Sequence, residues 1–158
     1  MKRDQARRLL NQALTELANA RRHLDFSCQQ VAGLPETLEG ATERQLESAE
    51  AFTGRFARSV DLLVNKVLRS LDRMELNPEG TLLDVIHRAE KRGLVDRAEE
   101  LREMKDVRNV IAHDYAGARA GEIFVFCREQ KPAFDTICER VIAHAGRILS
   151  SDPVISDF

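Results

Sequence analysis

Arg108-Asn-Val-Ile-Ala-His113-Asp-Tyr115 brings a guanidinium, a carboxamide, an imidazole and the only phenol of the chain within eight residues. Arginine carries a permanent charge on a planar fork that suits phosphate, and histidine is the side chain best poised to move a proton near neutral pH. Asn109 lies four residues before His113, on the same face of a helix, where its amide can orient the imidazole or bind phosphate. The chemistry such a set supports is proton transfer beside a negatively charged phosphoryl group. A structural reading competes with it: Arg108 as a surface ion-pair residue, His113 as a cation near a helix C-terminus, Tyr115 as a core anchor. Asp106 or Asp114 could raise the His113 pKa, but helix-surface acids usually face solvent, and both read that way.

These groups need a scaffold, and hydrophobic periodicity predicts one made of helices. Leu10, Ala13, Leu14, Leu17, Ala20 and Leu24 recur three or four apart and predict a first helix from Arg3 to about Gln29. Gly33 and Pro35 break that pattern, so 31–41 reads as a loop. Thr42-Glu-Arg-Gln45 has the spacing of a capping box and opens a second helix running to about Glu75, with Ala49, Phe52, Phe56, Leu63, Val67 and Met74 near one stripe. Asn77-Pro78-Glu79-Gly80 is a turn, and Thr81 starts a short helix to Arg92 that Gly93 caps. A fourth helix opens at Val95-Asp96, runs through Leu101, Met104, Val107 and Ile111, and carries the reactive residues near its end.

Ile123-Phe-Val-Phe126 has strand propensity, yet nothing else in the chain offers it a strand partner, so its backbone groups predict a helix instead. Pro132 restarts or kinks that helix, and Phe134, Ile137, Cys138, Val141, Ile142, Ala145, Ile148 and Leu149 continue it. The expected fold is all-α, an up-down bundle of four long helices and one short one. A single domain spans 1–149, with a frayed tail over 150–158.

Composition narrows the function classes. With 158 residues the chain can bury a core without disulfide or metal support. Cys28, Cys127 and Cys138 match no zinc spacing and read as reduced packing residues, and His23, His87, His113 and His144 show no ligand spacing either. His23, His87 and His144 therefore read as ordinary surface or boundary residues. A charged start without a long apolar run predicts neither a signal peptide nor a membrane span, and hence a cytoplasmic protein. A net charge of −2 argues against a general nucleic-acid coat but leaves room for a local site. Basic residues gather at Lys2, Arg3, Arg7 and Arg8, at Arg21-Arg22, and along Arg55, Arg58, Lys66, Arg69 and Arg73, where solvated helix faces explain most of them.

On an ideal helix Arg108 and His113 point about 140° apart. The reach of the arginine, a helix that ends near His113, or a two-fold partner joining two motifs in one cleft would each reconcile them.

Arginine, four residues, histidine, one residue, tyrosine, at the end of a central helix in a small all-helical chain, resembles the motif of the HEPN superfamily. Within it the motif resembles that of the HepT-type toxins, which pair with a small nucleotidyltransferase antitoxin. The long connection between the first two helices and the Phe52-Thr-Gly-Arg-Phe56 stretch fall outside the resemblance. It implies a homodimer with the motif at its interface, an RNA substrate, and cleavage without a metal or other cofactor. Arg108 and His113 are then the catalytic pair and Asn109 a supporting residue. His113 would act as general base on the RNA 2′-hydroxyl, and Arg108 would neutralise charge on the phosphoryl oxygens. Tyr115 corresponds to the tyrosine that the antitoxin can adenylylate. The alternative function is that of a non-catalytic helper subunit, which holds substrate or nucleotide beside a nucleotidyltransferase.

Overall fold

A computed structural model describes residues 3–77 and 79–151. Helix α1 (Arg3–Val31) is followed by α2 (Glu43–Asp61), which runs without a break through a π-helical stretch (Leu62–Leu68) into α3 (Arg69–Met74). A short α4 (Leu82–Lys91), then α5 (Ala98–His113) and the long α6 (Ala120–Ser151) complete the chain. The fold is the expected all-α bundle. Among the described residues Ile123–Phe126 is helical, and Pro132 sits inside α6 without ending it.

Local chemistry explains most of the boundaries. At the start of α2 the Gln45 backbone N–H donates to the Thr42 hydroxyl (3.2 Å), while the Gln45 side chain accepts from the Thr42 N–H (2.9 Å). Thr81 and Asp84 form the same reciprocal box on α4. Helix α4 ends at Gly93, whose φ of +75° is the left-handed conformation that glycine adopts without a Cβ penalty. Gly93 N–H reaches the Glu90 carbonyl and Leu94 N–H the Ala89 carbonyl, each at 3.0 Å, which is a Schellman closure with Leu94 buried behind it.

Three boundaries differ from expectation. The predicted second helix changes to π geometry for one stretch, which apolar periodicity does not register. Helix α5 begins at Ala98 instead of 95–96, because Leu94 and Val95 are buried in the connection. Ser150 and Ser151 belong to α6, so the helix outlasts the apolar stripe. Pro78 and 152–158, the rest of the expected turn and tail, lie outside the described residues.

The core is a continuous apolar cluster in which α2 and its π continuation are central. Phe52 meets Phe124 of α6 edge-on at 6.0 Å, and Phe56 meets Phe134 at 5.7 Å with the rings tilted by 60°. All four rings are fully buried, and such pairing adds to the burial of their large apolar surfaces. Polar staples finish the bundle. Arg128 of α6 donates to the Ala32 and Leu34 carbonyls (2.8 and 3.0 Å) and tethers the loop that follows α1. The half-buried His144 of α6 pairs with Glu75, 69 positions earlier, at 2.7 Å. Buried Asp72 takes both Arg88 (3.0 Å) and Arg92 (2.8 Å), joining α3 to α4 and its cap.

The cysteines are free, and burial pushes the Cys127 and Cys138 thiols up to about 12. The thiolate is the reactive form, so both should resist modification at neutral pH. Titration of the native protein with a disulfide reagent is expected to modify the half-buried Cys28 first, and the other two only after unfolding. Equal labelling of all three in the native state would show that α6 opens readily.

Candidate functional site

Helix α5 stops at His113, where the backbone leaves helical geometry at Asp114 (φ −92°, ψ 62°). The turn that follows is well defined. Gly117 N–H donates to the Asp114 carbonyl (3.1 Å), and the Asp114 carboxylate accepts from the Arg119 N–H at 3.0 and 3.2 Å just ahead of α6. Asp114 therefore closes the turn that leads into α6, which accounts for an acid beside the motif histidine. Gly117 supplies a left-handed φ of +69° that lets the chain reverse so tightly.

The helix end is what exposes the motif. His113 is exposed, and Tyr115 is 90% exposed, which rules out the core-anchor reading of the phenol. The two rings stand edge to face with centroids 6.4 Å apart. Tyr115 does not continue along the Arg108 face of the helix, because no helix remains at that point. Asn109 is also exposed, and among the described residues its side chain makes no hydrogen bond to His113.

Arg108 faces differently. Its guanidinium lies against the Asp61 carboxylate at the last residue of α2, although its side chain stays 64% exposed. That hydrogen bond first, and the negative charge second, raise the Arg108 pKa above its ordinary value and keep the group cationic. Lys105, one turn earlier on α5, reaches the other Asp61 oxygen at 2.8 Å. Asp61 itself is only 7% exposed. Sequence reasoning did not single out Asp61. Its one signal is a carboxylate between Val60 and Leu63 on the apolar stripe of the second helix, where an acid costs free energy unless a cation meets it.

Asp61 and Arg108 line a groove of about 570 Å³ between α2, the π stretch and α5, together with Arg58, Asn65 and Lys66. No described carboxylate pairs with Arg58 or Lys66. A second groove of about 250 Å³ shares Gly54 and Ile111 with the first and takes in Asp114 and Gly117 of the turn after α5. The structure thus sets Arg108, Ile111 and Asp114 along grooves that α2 also lines. It does not bring Arg108 into contact with His113 within one chain. Among the described residues no three His, Cys, Asp or Glu side chains are grouped so that they could hold a metal ion.

A family model described as Ribonuclease HepT-like matches residues 27–141. The chain belongs to the HepT-like ribonuclease family. The match spans α2 to α5 and most of α6, and it contains the whole Arg108–Tyr115 motif. Neither the curated proteins nor the solved structures return a match. As a HepT-like chain it has the expected superfamily and fold. No described helix is long and apolar enough to cross a membrane.

Proposed function

We propose that this HepT-like chain is a metal-independent endoribonuclease, the toxin of a toxin–antitoxin pair, acting as a homodimer. The observation that carries the reading is the exposure of His113 at the abrupt end of α5, with Arg108 exposed on the same helix and held cationic beside Asp61. Neither side chain is used to pack the core, so the family motif is free for chemistry.

In the proposed reaction His113 takes the proton of an RNA 2′-hydroxyl, and that oxygen attacks the adjacent phosphorus. The bond from phosphorus to the 5′-oxygen breaks as the new bond forms. The products are a 2′,3′-cyclic phosphate and a 5′-hydroxyl. Arg108 stabilises the charge that builds on the phosphoryl oxygens, and Asn109 assists in binding phosphate. The departing oxygen needs a proton from a second acid, and one chain offers a single motif histidine. A two-fold partner supplies the other, with α5 in the interface. This also answers the separation of Arg108 and His113 within a chain. Sedimentation should show a dimer at micromolar concentration.

The direct experiment is incubation of the purified protein with end-labelled RNA in EDTA. Cleavage to cyclic-phosphate ends is expected, and a 2′-deoxy substitution at the scissile position should block it. A requirement for a divalent ion, or 5′-phosphate products, would overturn the mechanism. Intact RNA together with tight RNA or nucleotide binding would favour the helper-subunit function.

Tyr115 is the proposed adenylylation site for a partner nucleotidyltransferase. Its phenol is open to solvent and stands beside His113, so an attached adenylyl group would put bulk and negative charge where RNA phosphate must sit. Tyr115→Phe removes one exposed oxygen and should leave both melting temperature and RNA cleavage close to wild type. The added mass seen after incubation with the partner and ATP should vanish in this variant. Modification that persists in Tyr115→Phe would assign it to another residue.

A further inference from the structure

Asp61 is set apart from the other acids of the chain by where it lies and by what shares it. It is buried at the seam between α2 and the π-helical stretch, and π geometry is rare and concentrated at functional sites. Two cations from α5 meet it, and they are unlike each other. The Lys105 side chain is 16% exposed and reaches Oδ1, so it provides the buried counter-charge that the fold requires. Arg108 takes Oδ2 while 64% exposed, through one nitrogen, Nη1. A guanidinium has five N–H donors, so most of the fork remains free to meet a ligand from the groove side.

Lys105 balances the charge of this buried carboxylate by proximity, without a hydrogen bond to Oδ1, so the side-chain hydrogen bond that Asp61 accepts comes from Arg108. We infer that Asp61 is the positioning residue for Arg108: it fixes one edge of the guanidinium on the groove wall, so that the remaining N–H donors face the scissile phosphate. This rests on the ribonuclease reading above. The benefit is pre-organisation. Arginine loses several rotamers when it binds an anion, and a side chain already tethered loses fewer of them at the moment of reaction. An untethered Arg108 would still be cationic and still attract RNA, but it would meet the developing charge less often in the right geometry.

The test separates position from folding. Asp61→Asn keeps the shape of the side chain, and in single-turnover cleavage of saturating RNA its rate should fall about tenfold to a hundredfold, the scale of an ångström-level misplacement. KM should change far less. Lys105→Met removes the other cation from the same carboxylate and leaves the Arg108 tether, so it should lower the melting temperature while kcat stays near wild type. Equal kcat losses in the two variants, or a wild-type rate in Asp61→Asn, would overturn the inference even though the wild type cleaves RNA. A wild type that does not cleave would instead remove the ribonuclease reading. If Asp61→Asn fails to fold, Arg108→Ala serves. Millimolar guanidinium chloride, far below denaturing levels, should restore cleavage saturably because Asp61 still offers it a docking oxygen, and methylammonium chloride should not. Absence of guanidinium rescue, or equal rescue by both cations, would count against Asp61.

Discussion

His113→Ala should lower the rate of RNA cleavage by about 10²–10⁴-fold, the usual contribution of a positioned general acid or base. Arg108→Ala should cause a loss of similar size through the phosphoryl charge that is left uncompensated. Neither change should move the melting temperature by more than about 2 °C, because substitutions at exposed positions stay within roughly 0.5 kcal/mol. Exposure of both side chains is what separates these two predictions. Arg108 has the single contact to Asp61, but that carboxylate keeps Lys105 as a partner, so no buried charge is left alone when the guanidinium is removed. A large drop in melting temperature with either variant would make the residue structural and sink the assignment. A rate near wild type in His113→Ala would do the same for the mechanism. The composite site adds a sharper check. Dimers formed from His113→Ala and Arg108→Ala protomers should regain part of the activity if the working arginine and histidine come from different chains, and should stay inactive if both must come from one.

The largest effect on stability is expected at Phe56. Its ring is fully buried on α2 and packs against Phe134 of α6, so it links those two helices. Phe56→Ala should cost about 3–5 kcal/mol, combining lost transfer free energy with the cavity left behind. Domains of this size are stable by only about 5–15 kcal/mol, so the variant should be far more easily unfolded by urea. Phe56→Leu, which refills much of the space, should recover a good part of the loss. A cost below about 1.5 kcal/mol for the alanine variant would mean that the α2–α6 contact is looser than the ring geometry indicates. Because Phe56 lines neither groove beside the motif, folded Phe56→Leu protein should cleave RNA at close to the wild-type rate.

Particular residues show why some features were readable in the chain and others were not. Thr42 with Gln45 and Thr81 with Asp84 announce helix starts because each box is closed by atoms three residues apart. Gly93 announces a helix end because the left-handed conformation excludes most other residues. The π stretch at Leu62–Leu68 has no comparable signature. Its residues are ordinary helix formers with apolar members at helical spacing, and the wider turn depends on what packs around it. Tyr115 is intermediate. Its closeness to His113 was evident in the numbering, but whether it was buried or exposed depended on where α5 stopped.

What the chain determined by itself is therefore local: an all-helical course, most helix boundaries, and a motif of arginine, asparagine, histidine and tyrosine at a helix end. These follow from backbone conformational preferences and from a 3.6-residue period, and both act within a few residues. Only the tertiary structure decided that Arg108 turns to Asp61, 47 positions earlier, that Lys105 shares the same carboxylate, and that His144 meets Glu75, 69 positions away. Periodicity tells which face of a helix is apolar. Which acid on one helix meets which cation on another is set by how the helices cross and slide once their apolar faces are packed, and those degrees of freedom leave no period in the sequence.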